Sequence, residues 1–296
     1  MTETFELASS AQNLLSGSPA ERAAFVQRDC WVHTATTSRA FQWMEYLLRS
    51  QRVRRPQCMQ IVAAAGMGKS SILQEFSNLH PVVRTEDPLR MQRPVLLANA
   101  TDVGSGASGL RRAIMRGAWP DAKYFPDGRD DLDATLMSQG IRLILLDETG
   151  DLMKSTPAVQ KRLLTELKRI NNDLRINIAS AAVEGLDHAV RQDEQLFTRF
   201  KPIIRIPAWT ESQEFRNFLY GLERFLPFPK RSFLDQPGML RWLLRYCRGN
   251  TNDIVMSIHE AALWAIHRNA RFVAMEDFEK ARMATEPPPI CFEVAA

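Results

Sequence analysis

A short run containing two glycines, a lysine and a serine lies between a predicted strand and a predicted helix. Residues 63–70 read AAAGMGKS. Glycines let backbone N–H groups turn inward around phosphate oxygens, and the N-terminus of the next helix adds the positive end of its dipole. Lys69 would neutralise phosphate charge, and Ser70 would ligate Mg²⁺. The residues expected to contact a nucleoside triphosphate are Ala65, Gly66, Met67, Gly68, Lys69, Ser70 and Ser71.

One position departs from the usual GxxxxGK[ST] spacing of a phosphate-binding loop, because Ala63 replaces the first glycine. The methyl group is tolerated there if the residue keeps a negative φ. The alternative is an ordinary strand–helix turn that carries a chance Lys-Ser pair. The place of the run, after a strand and before a helix, favours the phosphate-binding interpretation.

Two adjacent carboxylates, Asp147 and Glu148, end an apolar run that begins at Leu143. Ligands bind at the carboxyl ends of strands in open α/β sheets, so both groups would face the phosphate-binding loop. Asp147 would hold Mg²⁺, directly or through water, and Glu148 would orient and polarise the attacking water. The alternative is a strand end capped by solvated acids. Taken with the loop, the pair instead predicts a Walker B element.

The elements that must position these residues alternate between strands and helices. Apolar runs predict five strands, beginning near residues 58, 94, 143, 176 and 203. Continuous apolar strands separated by helices favour a parallel sheet covered on both faces. After Pro207 the pattern becomes helical. The sequence thus predicts an α/β P-loop fold, with a parallel five-stranded sheet flanked by helices and a small all-helical lid behind it.

We expect four segments along the chain. A helical N-terminal segment spans 1–55, the α/β core 56–208, the helical lid 209–286 and a flexible tail 287–296. The residues SPAE at 18–21 form a capping box that predicts a helix start in the first segment.

Composition excludes several classes of protein. Of 296 residues, 45% are hydrophobic and 24% charged, which permits a packed core and excludes wholesale disorder. No apolar run approaches the roughly 18 residues of a membrane span, and the N-terminus lacks a secretory pattern, so we expect a cytoplasmic protein with no membrane partner. The four cysteines show no zinc spacing. A net charge of +4 permits a nucleic-acid partner without requiring one.

Beyond the nucleotide motifs, several short segments resemble those of one family of AAA+ ATPases. Over about residues 20–285 the chain is similar to the TniB/TnsC family of DNA transposition regulators. The segments that carry the resemblance are RDCW at 28–31, QLFTRF at 195–200, IPAW at 206–209 and RGN at 248–250. The resemblance implies an ATPase that uses ATP and Mg²⁺. The sequence shows no recognisable Asp-Asp-Glu nuclease pattern, so we do not expect the chain itself to be a nuclease or transposase.

The resemblance also implies roles for three polar positions. Arg199 is the candidate arginine finger for the nucleotide of a neighbouring subunit, since a planar fork of donors suits a γ-phosphate. An ordinary arginine beside Phe200 is the alternative. The sensor 1 residue should follow the fourth strand, where Ser180 is the nearest polar side chain. Sensor 2 stays open between Asn252 and Arg248.

A basic segment after the second strand is the candidate DNA-binding surface. In the family, this region lines the channel of a helical oligomer and follows the DNA backbone. A glycine-rich loop precedes a helix on which Arg112 and Arg116 share a face at i, i+4. Arginines suit phosphate contacts without base readout, and a solvated helix face is the alternative. The candidate DNA-binding residues are Arg111, Arg112, Arg116 and Lys123.

The resemblance implies an ATP-dependent regulator of DNA transposition. Such a protein forms a homo-oligomer, as a ring or a helical filament, on double-stranded DNA of almost any sequence. It recruits or activates a separate transposase and works with a target-selection protein. Two alternatives stay open: an initiator or clamp-loader type of ATPase in replication or repair, and a STAND-like signalling ATPase.

Overall fold

The computed structural model describes residues 5–50, 56–84, 91–101, 106–149, 156–182, 199–286 and 288. The chain divides into two units. The first, called here the sheet unit, is Thr36–Pro207, and the second, the helical unit, joins Met1–Ala35 to Ala208–Ala296. The expected N-terminal segment 1–55 is therefore split between the units.

A five-stranded parallel sheet forms the centre of the sheet unit, as the sequence predicted. The strands of the structure are β1 (Cys58–Val62), β2 (Val83–Arg84), β3 (Met91–Gln92), β4 (Val95–Asn99), β5 (Leu143–Asp147), β6 (Asn177–Ala182) and β7 (Phe200–Arg205). The order across the main sheet is β4-β5-β6-β1-β7, with every neighbouring pair parallel. Strands β2 and β3 pair separately as a short antiparallel ladder.

Helices supply the apolar cover of this sheet. Those of the sheet unit are α3 (Ala35–Arg49), α4 (Lys69–Leu79), α5 (Ala107–Ala118), α6 (Arg129–Ser138) and α7 (Pro157–Asp173). All five residues of β1 are buried, as expected for a central strand covered on both faces. One apolar cluster joins side chains of α5, α6 and α7 to β4, β5 and β6, with Leu110, Leu136 and Ile170 fully buried.

The helical unit contains the other helices of the described chain. They are α1 (Ser9–Gln12), α2 (Pro19–Val26), α8 (Gln213–Glu223), α9 (Pro237–Cys247), α10 (Thr251–His267) and α11 (Met275–Met283). Ala23 and Val26 of α2 belong to the same core as Phe215 and Ile258. This packing explains why the first 35 residues group with the C-terminal helices. Among the described helices, none combines the length and apolar character needed to cross a bilayer.

The predicted capping box is confirmed at the start of α2. The Glu21 backbone N–H donates to Ser18 Oγ over 3.2 Å, and the Ser18 N–H donates to Glu21 Oε2 over 2.8 Å. These bonds satisfy two donors that a helix start leaves without partners. The hydrogen bond from the Ser18 backbone N–H is also the chief cause that lowers the pKa of Glu21.

Candidate functional site

The loop between β1 and α4 turns through left-handed backbone at two glycines. Gly66 has a φ of 73° and Gly68 a φ of 82°, angles that glycine adopts without steric cost. Ala63 is not among the positive-φ residues of the described chain, so its methyl group fits. No atom lies within 4 Å of the place that a Cβ at Gly68 would take. At these two glycines the loop therefore presents backbone without a side chain.

Lys69 opens α4 and folds its side chain back over this loop. Its Nζ donates to the carbonyl oxygens of Ala63 and Ala64, over 3.0 and 2.7 Å. Burial lowers the pKa of Lys69, and the charges of Glu148 and Asp147 oppose that shift. An ammonium group has three donors, of which these carbonyls take two. The Lys69 ammonium group is thus held above the loop, close enough for the charges of both carboxylates to act on it.

Glu148 sits in a left-handed conformation directly after β5. Its φ of 54° costs a non-glycine residue roughly 1 kcal/mol or more, and such strain clusters at functional sites. Its backbone N–H donates to Asp147 Oδ1 over 2.9 Å. The buried Thr149 hydroxyl donates to the Ala181 carbonyl over 2.7 Å. These contacts attach the strained residue to its own strand and to β6.

The two acids and the glycine loop lie at the same edge of the sheet. In register, Gln60 of β1 pairs with Ser180 of β6, which pairs with Leu146 of β5. All three strands run parallel, so their carboxyl ends meet at one edge. Neighbouring strands lie about 4.8 Å apart, which puts β5 roughly 10 Å from β1 across the sheet. That separation leaves room for a triphosphate between loop and acids.

The donor set at this edge fits a nucleotide with a magnesium ion. Hydroxyl and carboxylate oxygens are the ligands that Mg²⁺ takes beside water and phosphate, and Ser70 and Asp147 could supply them. The residues of the loop itself could bind phosphate oxygens through backbone N–H groups at the helix start. Glu148, next to Asp147, could accept a proton from water.

Ser180 lies inside β6, whereas the sequence analysis placed it beyond the end of that strand. Its hydroxyl is buried and donates to the Met59 carbonyl over 3.4 Å, and the strand continues to Ala182. The small residues at 180–182 carry little strand signal of their own. Pairing with β1 along its full length extends the strand through them.

Arg199 lies directly before β7, at the other end of the sheet from the glycine loop. The Cys58 backbone N–H donates to the Arg199 carbonyl over 2.9 Å, which aligns Arg199 with the start of β1. Five residues of β1 separate that point from the loop, about 16 Å at roughly 3.3 Å per residue. Arg199 therefore cannot reach the phosphate loop of its own chain.

Arg111 points into a buried ion network rather than to solvent. Its side chain is 14% exposed and lies 3.6 Å from Glu166, whose carboxylate is 1% exposed. Arg129 and Arg169 approach the same carboxylate to 3.7 and 3.0 Å. Asp133 accepts two hydrogen bonds from Arg169, over 2.8 and 2.9 Å, and this contact chiefly raises the pKa of that guanidinium. Arg111 thus pairs with a buried carboxylate of the sheet unit, although it belongs in sequence to the basic segment.

The other three basic candidates are more accessible. Arg112 is 40% exposed and pairs with Asp127 over 3.0 Å. Arg116 is exposed and lies over the Phe125 ring, 5.5 Å from its centroid. Lys123 is exposed. These side chains can offer positive charge to a partner at modest cost.

A cleft beside α5 is lined by charged side chains from three helices. The open cleft, with a volume of about 1040 Å³, is lined by residues of α5, α6 and α7 that include Arg111, Arg129, Lys161 and Arg162. The structure therefore brings the basic part of α7 next to the start of α5, although 50 residues separate them in sequence.

Two of the segments behind the family resemblance meet within the helical unit. The Trp209 N–H donates to the Gly249 carbonyl over 2.9 Å, and the Trp209 indole donates to Thr251 Oγ1, also over 2.9 Å. A Cβ at Gly249 would overlap the Trp209 carbonyl. Arg248, left open for sensor 2, directly follows α9 and has a φ of 50°.

Sequence reasoning missed three polar residues that the structure brings to notable places. Asn99 ends β4 in register with Asp147, and its Oδ1 accepts from the Thr101 N–H over 3.0 Å. A polar residue at the end of a buried strand is the signal that identified Asp147, and it would have found Asn99 as well. Asn171 and Asn172 hold Arg199 and had no local signal.

Residues 102–105, 195–198 and 289–296 lie outside the described residues.

Comparison with family models gives a match over most of the chain. The model described as Bacterial TniB protein matches residues 22–211, which is more than half of the chain. Comparison with curated proteins finds no match.

Solved structures with a similar fold include three AAA+ proteins. The Aeropyrum pernix ORC1 protein in complex with DNA is 17% identical, with 88% of this chain and 68% of that chain covered at a TM-score of 0.59. The Aeropyrum pernix ORC2 protein in its ADP form is 15% identical, with 87% and 71% covered at 0.58. The Thermotoga maritima RuvB Holliday junction branch migration motor is 11% identical, with 87% and 72% covered at 0.52. At these identities the similarity establishes the AAA+ P-loop fold.

Proposed function

This chain belongs to the bacterial TniB family, and we propose on that basis that it is an ATP-dependent, DNA-binding regulator of DNA transposition. It hydrolyses ATP to ADP and phosphate, assembles on double-stranded DNA, and recruits or activates a separate transposase together with a target-selection protein. The observation that carries the proposal is the glycine loop, with left-handed Gly66 and Gly68, at the same sheet edge as Asp147 and Glu148 in a chain of this family.

Nucleotide binding rests on the loop and on Lys69. The backbone N–H groups at the start of α4 bind phosphate oxygens, and the helix dipole adds to the attraction. Lys69 exchanges its hydrogen bonds to Ala63 and Ala64 for phosphate oxygens, which carry more negative charge than carbonyls. Ser70 and Asp147 would hold a Mg²⁺ ion, which would supply neutralising charge at the phosphates.

Hydrolysis rests on Glu148 and on a neighbouring subunit. Glu148 orients a water molecule and accepts its proton, and its strained backbone keeps the carboxylate ready for that task. Because Arg199 cannot reach its own loop, it stabilises the transition state at the nucleotide of a second copy. Activity therefore depends on assembly.

DNA binding rests on the exposed cations of the basic segment. Arg112, Arg116 and Lys123 contact phosphates without reading bases. A net charge of +4 holds a single copy weakly, so binding requires a ring or filament that sums the contacts of many copies. The AAA+ fold shared with an ORC1 protein solved in complex with DNA supports this reading.

A strand-transfer assay tests the transposition role. A labelled transposon end, the transposase that recognises that end and supercoiled target DNA are incubated with or without the protein and ATP. We expect insertion into target DNA to require both the protein and ATP, and to fail with Lys69→Ala. Insertion that proceeds equally without the protein would favour the alternative roles in replication, repair or signalling. The cytoplasm is where we expect these partners to meet.

A further inference from the structure

Two asparagines at the end of α7 accept hydrogen bonds from one side of the Arg199 guanidinium, a contact called here the asparagine grip. Arg199 Nη1 donates to Asn171 Oδ1 over 2.9 Å and also to Asn172 Oδ1. Among the described residues, Nη2 and Nε of Arg199 make no hydrogen bond. Within the described part of the chain, the guanidinium is thus held through one nitrogen, Nη1.

The asparagine grip is itself fixed by contacts with neighbouring backbone. Asn171 is buried, at 1% exposure, and its Nδ2 donates to the Ile176 carbonyl over 2.9 Å. Only the amide nitrogen can donate to a carbonyl, so Oδ1 must face Arg199. The Arg199 backbone is fixed in turn by its bond from Cys58. Backbone and side chain of Arg199 are therefore attached to two different elements, β1 and α7.

Both asparagines are neutral, and this determines what the grip can do. A carboxylate at either position would neutralise the guanidinium and compete with an anionic ligand. An amide oxygen orients the cation but leaves its full positive charge. The C-terminal end of α7, where Asn171 and Asn172 lie, adds the negative end of a helix dipole that also favours a cation there.

From this geometry we infer that Asn171 and Asn172 are positioning residues that aim the Arg199 guanidinium at the γ-phosphate bound by a neighbouring copy. The inference rests on the proposed finger role of Arg199. In this role the asparagines act through the arginine, to which both are hydrogen-bonded. Misplacing a catalytic group by about 1 Å can cost up to about 100-fold in rate, so loss of the grip should slow hydrolysis without weakening ATP binding.

The test uses subunits that donate only a finger. Arg199→Ala subunits keep a nucleotide site but lack the finger, and Lys69→Ala subunits keep the finger but lack the site. Mixed on DNA, the two should restore hydrolysis at the interfaces where they meet. The donor is then replaced by Lys69→Ala combined with Asn172→Asp, which keeps the shape of residue 172 and adds a charge. We expect the activity restored by this donor to be about tenfold lower, or lower still, than with the Lys69→Ala donor.

Two further donors keep the result interpretable. Lys69→Ala combined with Asn171→Asp tests the buried asparagine, and its thermal unfolding shows whether the subunit is folded. Lys69→Ala combined with Asn217→Asp makes the same chemical change on the exposed face of α8 and should rescue as fully as Lys69→Ala alone.

Each outcome decides between two claims. Suppose that Lys69→Ala subunits restore activity and that the donors with Asn171→Asp and Asn172→Asp restore it equally well. The positioning role is then wrong, while the finger role stands. If Lys69→Ala subunits that co-assemble restore nothing, Arg199 is not a finger acting in trans, and the inference falls with it. Selective failure of the Asn171 and Asn172 donors supports the inference.

Discussion

Removing the exposed cations of the basic segment gives the most quantitative test of the DNA-binding surface. The variant combines Arg112→Ala, Arg116→Ala and Lys123→Ala. All three side chains are accessible, so the fold should tolerate their loss. Arg111 is left in place because it pairs with the buried Glu166, and its removal would confuse a DNA effect with a loss of stability.

The expected size of the effect follows from counterion release. Each phosphate contact contributes about 0.9 to the slope of log affinity against log salt concentration. Three lost contacts per subunit flatten the slope by about 2.7. Between about 50 and 200 mM salt, this corresponds to a roughly 40-fold smaller loss of affinity than the parent protein shows.

Fluorescence anisotropy with two unrelated duplexes, at several salt concentrations and with a non-hydrolysable ATP analogue, measures this slope. The triple variant should bind both duplexes more weakly and to a similar degree, with unchanged nucleotide affinity in the absence of DNA. Arg49→Ala, which removes a 79% exposed arginine of α3, is the matched control and should leave the slope unchanged. An unaltered slope in the triple variant would move the DNA surface elsewhere, and weakening on one duplex alone would indicate base readout.

Three further substitutions or treatments test other parts of the account. Lys69→Ala should abolish ATP binding in a calorimetric titration, since it removes the cation that the loop holds over the phosphates, and unchanged affinity would refute the loop assignment. Glu148→Gln should bind ATP and assemble on DNA but release phosphate about 100-fold more slowly or worse; a normal rate would mean that another group activates the water. Cys58 should resist iodoacetamide at pH 8 in the folded protein, because burial raises the pKa of its thiol to about 12, and alkylation detected there by mass spectrometry before unfolding would contradict the packing of β1.

Much of the sheet edge that carries the glycine loop and the two acids could be predicted, because its sequence signals are local. A buried strand, two glycines and Lys69 before a helix form one continuous pattern, as do the apolar strand and acids at Asp147. The five strands followed from local apolar runs, and the helical C-terminal region followed from the helical pattern after Pro207. The strained φ of Glu148 had no such signal, since it depends on contacts made by the next residues of the folded chain.

The remainder depends on contacts between distant parts of the chain. Arg111 was grouped with Arg112 because they are adjacent, yet Glu166 of another helix turns Arg111 inward. Ser180 was placed beyond its strand because small residues hide the pairing that extends β6. The partners of Arg199 come from the end of α7, a contact that only the folded sheet creates.

Electron microscopy of the protein on duplex DNA tests the central claim most directly, which is that nucleotide drives assembly on DNA. With a non-hydrolysable ATP analogue, we predict rings or filaments whose interfaces place Arg199 of one copy against the nucleotide of the next. Without nucleotide, or with Lys69→Ala as the sole subunit, those assemblies should be missing. Identical assemblies in the absence of nucleotide, or interfaces that leave Arg199 far from any nucleotide, would contradict the account.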